Sequence, residues 1–241
     1  MALFHGGDSK YLVRNRDGNK YWGLYTLALL FISLILYWAL QLYVRLSFFP
    51  SISISLGMVV LGIILIKITD SFYIPLLKFN NGIIGERRVR EELKKLSDEF
   101  SVYQDVKLPM FKWNIDFVVI GPTGIFTIEV KNKKGKIDFK DGKLIINNQN
   151  DQKDLNEAKK EAVCLHEYLI EKLKIKIGFI YPVLVFTGHT EIHFGLNMIE
   201  NSYIVHKNYL LRVLTEKSSG VYEREYRNIL EKELAAISPK K

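Results

Sequence analysis

The stretch at residues 115–132, IDFVVIGPTGIFTIEVKN, confines this chain more than any other. Two short apolar runs flank a Gly-Pro-Thr-Gly turn, the pattern of a β-hairpin. Asp116, Glu129 and Lys131 interrupt runs that otherwise suit buried strands. Burying such charges is costly unless they pair or hold a metal. The turn also predicts the register: Ile120 faces Ile125, Val118 faces Thr127 and Asp116 faces Glu129. Side chains alternate between the faces of a strand. Asp116, Val118 and Ile120 therefore share a face with Ile125, Thr127, Glu129 and Lys131. Ile115, Phe117, Val119, Phe126, Ile128 and Val130 make a wholly apolar opposite face that belongs to a core. Like charges directly opposed across a strand pair destabilise it. A divalent cation between the two acids reverses that sign, and oxygen donors suit magnesium or manganese.

The surrounding elements follow from periodicity. Residues 82–100 read as a helix with Ile84, Val89, Leu93 and Leu96 as its apolar stripe. Glu86 follows Gly85 at its start, where a carboxylate favours a helix N-terminus. Residues 101–109 read as a strand ended by Pro109. Residues 136–139 and 143–146 read as strands around an Asp141-Gly142 turn. Residues 154–173 form the longest helix of this region, with Leu155, Ala158, Ala162, Leu165, Leu169 and Leu173 in one stripe. Residues 181–186 resemble an interior strand, 201–205 a further strand, and 207–216 and 221–234 terminal helices. That order predicts an α/β fold, a mixed sheet flanked by helices.

A different chemistry occupies the N-terminal third. Residues 22–44 carry no charge and are long enough to cross a bilayer as a helix of about 20 residues. A break at 45–51 contains Pro50, and 52–66 is apolar again, continuing past Lys67 toward Leu77. The expected organisation is a cytoplasmic segment at 1–20, a two-helix transmembrane hairpin at 21–77 and a soluble domain at 78–241. Lys10, Arg14, Arg16 and Lys20 precede the first span; Lys78, Arg87, Arg88 and Arg90 follow the second; only Arg45 lies between. The positive-inside rule then places both ends in the cytoplasm of a multi-pass cell-membrane protein whose partner is the lipid bilayer. Tyr21, Trp22 and Tyr25 at one end, and Tyr43, Phe48 and Phe49 at the other, suit interfacial belts. Cys164 is the only cysteine, which excludes an intrachain disulfide framework and fits a reducing compartment. The soluble part from Lys78 on, with 28 Lys and Arg against 23 Asp and Glu, carries +5, which permits a phosphate-bearing partner or attraction to anionic headgroups.

Three segments in order, GIIGERRVREELKKL, DVKLP and IDFVVIGPTGIFTIEVKNKKGKI, resemble the NERD family, the nuclease-related domain, within the PD-(D/E)xK nuclease superfamily. The resemblance covers roughly residues 81–209 and implies a restriction-endonuclease-like mixed sheet behind two transmembrane helices. It further implies that Asp116 and Glu129 bind a catalytic Mg2+, with Mn2+ as an alternative, that Lys131 holds the attacking water, and that Glu86 reaches the site as a further acid. Hydrolysis of a phosphodiester needs a nucleophilic water and charge stabilisation at phosphate, and these residue types supply both. NERD domains often open the next long helix with Asn-Pro-x-x-Gln-Ala. Here the stretch is Lys153-Asp154-Leu155-Asn156-Glu157-Ala158, so the Asn-Pro is missing and Glu157 replaces Gln.

Lys133, Lys134 and Lys136 would add attraction for nucleic acid, with DNA the expected substrate. Phe111, Lys112 and Trp113 lie just ahead of the hairpin, where they could touch it. The pair His189 and His193 around Glu191 stands in a Gly-Thr context that reads as loop or strand, not as a zinc-binding helix. Three classes stay open on the sequence: a membrane-tethered, metal-dependent nuclease; a catalytically silent nucleic-acid-binding module on the same fold; and a membrane scaffold recruiting a protein. A homodimer is compatible with each.

Overall fold

The expected hairpin forms the middle of a six-stranded mixed sheet. In the computed structural model, residues 2–5, 10–44, 48–109, 111, 113–194, 196, 198–216 and 224–238 are described. The strands are β1 (Leu3–His5), β2 (Ser101–Val106), β3 (Ile115–Gly121), β4 (Gly124–Lys131), β5 (Gly135–Lys140), β6 (Lys143–Ile146), β7 (Gln149–Asn150), β8 (Ile180–Phe186), β9 (Thr190–Ile192) and β10 (Tyr203–His206). The helices are α1 (Lys10–Val44), α2 (Phe48–Leu93), α3 (Gln152–Leu173), α4 (Leu210–Glu216), after a 3-10 turn at Lys207–Tyr209, and α5 (Arg224–Ile237). The chain divides into a helical unit, Lys10–Asn81, and an α/β unit made of Met1–Ser9 and Gly82–Lys241.

In the α/β unit the main sheet runs β1-β2-β3-β4-β8-β10, and a smaller sheet runs β7-β6-β5-β9. β2, β3 and β4 are antiparallel, whereas β8 is parallel to both β4 and β10. The hairpin register is the expected one, with Ile120 opposite Ile125 and Val118 opposite Thr127. Gly124, at φ +146°, adopts a backbone that side chains with a Cβ rarely reach.

Both faces of the hairpin are covered, so the charged face is not an exposed one. Phe117, Val119, Phe126 and Ile128 pack with Val89 and Leu93 of α2 and Val213 and Leu214 of α4. Val118, Ile120 and Ile125 pack with Leu165 and Leu169 of α3 and Leu230 and Leu234 of α5. A third cluster joins Ile137, Leu144 and Ile146 of the small sheet to Leu155, Ala158 and Leu184. The result is three layers, helices on both sides of a mixed sheet.

Several expectations change. Residues 82–93 are the end of α2 rather than a separate helix, so Glu86 lies well inside a helix and not at its N-terminus. Ile83, not Ile84, faces the core: Ile84 is 43% exposed and Ile83 only 5%. The helix also stops at Leu93, short of the expected Phe100. Part of the N-terminal segment is structured, since β1 pairs in parallel with β2 and His5 stacks on Tyr103 at 4.8 Å. The terminal helix runs to Ile237, while residues 221–223 of its expected start lie outside the described residues. So does Lys112.

Taken by itself, the helical unit exposes large apolar side chains on every side. Phe31 is 65%, Ile35 67%, Trp38 64% and Ile63 52% exposed. Among the described residues one helix, Lys20–Ala39, is long and apolar enough to span a bilayer, and 6% of its most apolar window is buried. That low burial separates it from the core helix of a soluble protein, although a signal sequence meets the same criteria of length and composition. The expected second span does not reach that standard. Ser51, Ser53 and Ser55 dilute its beginning, and the remaining apolar stretch, Val59–Ile68, is short and contains Lys67.

At the hairpin turn, a Cβ added to Gly121 would lie 2.2 Å from the Phe100 ring. Gly121→Ala is expected to lower stability by about 1–3 kcal/mol through this overpacking. The urea midpoint of full-length protein in detergent, followed by limited proteolysis, checks it; an unchanged midpoint would show that the ring yields freely.

Candidate active site

The site begins where strand pairing fails. The β3–β4 ladder ends at Phe117–Ile128, one step short of the expected Asp116–Glu129 pair. The cause is local: the Val130 amide donates to Asp116 Oδ2 at 2.9 Å, so a side chain takes the place of a backbone acceptor. On the other flank, Gln104 pairs with Phe117 and Val106 with Ile115, while Asp105 between them turns to φ +58°. Asp tolerates this left-handed backbone better than most residues, and Asn114 Nδ2 donates to its Oδ1 at 2.6 Å. No extra residue is inserted, but the backbone opens on both sides of Asp116.

Glu86 reaches this opening from α2 because Gly85 lets the helix approach β4. A Cβ at Gly85 would stand 3.1–3.3 Å from Thr187 Oγ1, Asn132 Cβ and Val130 Cγ1. Arg88 Nη1 donates to the Thr187 carbonyl at 2.9 Å and holds the same approach. Glu86 is 6% exposed and accepts from Gln104 Nε2 at 3.2 Å, and the Gln104 Oε1 accepts from Arg90 Nε at 2.7 Å. Arg90 is thus part of the site's support, not a purely solvent-facing residue.

Lys131 is the centre of the cluster. Its Nζ lies 2.6 Å from Glu129 Oε1, 2.8 Å from Glu157 Oε2 and 3.7 Å from Asp154 Oδ1. Glu129 is 9% and Asp154 5% exposed. Asp154, Glu157 and Glu161 recur at helical spacing on α3, so one face of that helix delivers three acids to the strand end. Glu161 is 5% exposed, lies beside Glu129, and its Oε2 has no hydrogen-bond partner. The apolar stripe read from the sequence passes over Glu161. A carboxylate between Ala158 and Leu165, inside a buried stripe, is the signal that could have found it.

Asp116, Glu129 and Glu161 thus crowd together beside Lys131, and burial among like charges shifts the proton affinity of several groups. Burial, then the charges of Glu129 and Glu86, push Asp116 well above the usual carboxylate range. Burial, then Glu129 and Asp116, do the same to Glu161. Burial raises Glu86 from 4.5 to about 7, with the Gln104 hydrogen bond opposing and Asp105 assisting. Burial by itself would lower Lys131, but the charge and hydrogen bond of Glu129, with Glu157 and Asp154, override it and hold the ammonium firmly protonated.

The expected nucleic-acid-binding lysines separate. Lys133 turns into the acid cluster, paired with Asp151 and, at 2.7 Å, with Asp154. Lys134 and Lys136 are exposed, Lys136 beside a hollow lined with Asp138, Lys140 and Lys143. A second hollow, lined by Asn150, Gln152, Lys153, Asn156, Glu157 and Lys160, adjoins Lys131 through Glu157. Trp113 stands at its side, with Lys160 Nζ 4.0 Å from its ring centroid and Phe111 packed on it at 4.9 Å. His193 and Glu191 approach to 3.7 Å on and beside β9, a strand context as expected.

The donor set is carboxylate oxygen, which suits a hard dication, and Glu161 Oε2 is a buried acceptor left without a partner. As the side chains stand, no three His, Cys, Asp or Glu among the described residues are grouped to hold an ion. The Lys131 ammonium supplies the positive charge to Glu129 instead. The chemistry of the set thus fits a dication, and the acids would have to gather around it.

A carboxyl whose affinity for protons is raised by folding stabilises the fold below its unfolded value and loses that contribution as pH rises through its folded value. For Glu86 this window runs from about 4.5 to about 7. In EDTA the protein is expected to lose stability across that window, on the order of 3 kcal/mol for Glu86 alone. Glu86→Gln should flatten the slope. Parallel stability curves for parent and variant, measured by denaturant titration at several pH values, would refute it.

Comparison with known proteins gives one match. No curated protein and no solved structure matches the chain. Residues 81–187, which hold Glu86, Asp116, Glu129, Lys131 and Glu161, match the model of the NERD family, and this segment of the chain is a nuclease-related domain.

Proposed function

We propose that the protein is a metal-dependent nuclease, hydrolysing phosphodiester bonds of DNA at the cytoplasmic face of a membrane to which residues 21–77 tie it. The observation that carries this reading is the crowd of buried and half-buried acids around one clamped lysine at the open end of β3 and β4. Asp116 and Glu129 would hold a Mg2+ or Mn2+ ion. Such an ion, when bound, supplies a nucleophilic water at neutral pH and neutralises charge developing on the phosphate.

The chain's own groups do the rest. Lys131 keeps its proton and is placed to orient the attacking water or to donate to a phosphate oxygen. Were Glu129 engaged by the ion, Glu157 and Asp154 would still hold Lys131 at the site. Glu86, titrating near 7, is suited to hold the proton released by the attacking water on its carboxylate, directly or through an intervening water. Lys153 and Lys160 in the adjoining hollow, with Trp113 at its side and Lys134 and Lys136 exposed nearby in sequence, offer phosphate attraction and a stacking surface.

Membrane attachment is supported by the exposed apolar faces of the helical unit, which water would not tolerate over such an extent. The connectivity supports a hairpin. β1 precedes the helical unit and Gly82–Lys241 follows it, yet both belong to one α/β unit. A bilayer entered by Lys10–Asn81 must then be crossed an even number of times, with Val59–Ile68 in the returning helix. In a cysteine-free background, Ser51→Cys should react with a membrane-impermeant maleimide on intact cells and Lys134→Cys should not. Equal labelling of both sites would sink the hairpin.

Activity is checked on full-length protein in detergent with duplex DNA, single-stranded DNA and RNA, each with Mg2+ or Mn2+. Asp116→Ala and Lys131→Ala are expected to lose at least about 100-fold in cleavage rate, the scale of removing one electrostatic group from such a site. Absence of cleavage on every substrate removes the enzyme reading. Salt-dependent binding without cleavage would favour the silent nucleic-acid module.

A further inference from the structure

Resting on the metal-dependent reading above, we propose that Glu161 is a third carboxylate ligand of the cation site, delivered from α3 opposite Asp116 and Glu129. The side chain sits in a helix stripe whose neighbours are apolar and closed, Ala158 at 1%, Ala162 at 4% and Leu165 at 0% exposure. A carboxylate there is costly to bury. In this structure its neighbours increase the cost, because the contacting group is another acid, Glu129, with Asp116 next in electrostatic reach. Lys131 opposes this only in part, since its ammonium is already shared by Glu129, Glu157 and Asp154.

Two independent features point to a ligand. The first is the orphaned oxygen: Glu161 Oε2 is buried without a hydrogen-bond partner in a side chain that is 95% covered and directed at the acid pocket. The second is the division of labour along α3. Glu157 and Asp154 face Lys131 and pair with it, whereas Glu161, one turn further on, faces Glu129 and pairs with no cation within salt-bridge distance among the described ion pairs. A divalent ion offers what the lysine does not, a charge large enough to hold Asp116, Glu129 and Glu161 together. With Glu161 as ligand, α3 fixes both the ion and the lysine, and the helix couples the two halves of the site.

The test reads metal binding, not catalysis. Full-length protein in detergent is stripped with EDTA and titrated with Mn2+, and free Mn2+ is followed by electron paramagnetic resonance. The parent should show saturable binding, and Asp116→Asn should abolish it. Glu161→Gln keeps the shape and one oxygen acceptor but not the charge, and should weaken affinity at least about 10-fold, or about 1.4 kcal/mol. Its metal-free melting temperature should equal or exceed the parent's, because an uncompensated buried acid is gone. Glu91→Gln, on the exposed side of α2, should bind as the parent does.

Glu161→Gln binding Mn2+ like the parent, while Asp116→Asn does not, overturns the proposal and leaves the nuclease reading standing. A parent with no saturable site overturns both. A fall in metal-free melting with unchanged affinity assigns Glu161 a structural hydrogen bond and also overturns it. Should Glu161→Gln fail to fold, Glu161→Asp retains the charge one methylene short. An affinity between parent and Asp116→Asn then supports the proposal, and parental affinity rejects it.

Discussion

The ion pair between Lys131 and Glu129, at 2.6 Å inside a largely covered strand end, is the interaction on which the rest of the α/β unit depends. Without that ammonium, the Glu129 carboxylate near the end of β4 would lie beside Glu161 and Asp116 with its paired cation gone. The lysine is in turn held by Glu157 and Asp154 on α3, so the same contacts that neutralise the strand dock the helix. A buried pair of this kind contributes little net stability compared with apolar packing, but breaking it leaves an uncompensated charge. The architecture supplies that packing elsewhere. The hairpin is covered by α2 and α4 on one face and by α3 and α5 on the other.

The cluster is also under-neutralised, since Glu161 Oε2 is buried without a hydrogen-bond partner. A network built for stability satisfies its members, because a half-satisfied buried polar group is worse than none. Here Asp116 and Glu161 are both pushed well above the usual carboxylate range, burial being the first cause in each case. The strand pairing is interrupted on both flanks of Asp116 to place its carboxyl in the opening. Perturbed groups cluster at sites that bind or react, and here they gather at the interrupted end of two central strands.

Much of this was legible beforehand, and the misses share one cause. The hairpin register could be read because a two-residue turn couples adjacent strands, and the period of two then assigns every face. The stripe of α3 could be read because apolar residues recur every three or four positions. Glu86 was singled out through its likeness to a family pattern, but its setting was not legible, since the apolar run and the following charged segment merge into the single helix Phe48–Leu93. Lys133 read as a free cation because nothing in its local sequence shows that Asp151 and Asp154 curve back to it. Glu161 was passed over, and its partners on β3 and β4 lie far away in the chain.

The sequence by itself determined the apolar faces, the hairpin and its register, the membrane-seeking character of the segment before residue 45, and the nuclease-related pattern of Glu86, Asp116, Glu129 and Lys131. These are local properties, set by turn geometry, periodicity and composition within a few residues. Only the tertiary structure decided that both faces of the hairpin are buried and that β1 joins the same sheet as the domain beyond the helical unit. It alone brought Asp154, Glu157 and Glu161 to the strand end, converting a two-acid hairpin into a cluster of five acids around a clamped lysine. The physical reason is that charge balance in a buried site is a sum over every element that reaches it, and no single stretch of chain contains that sum.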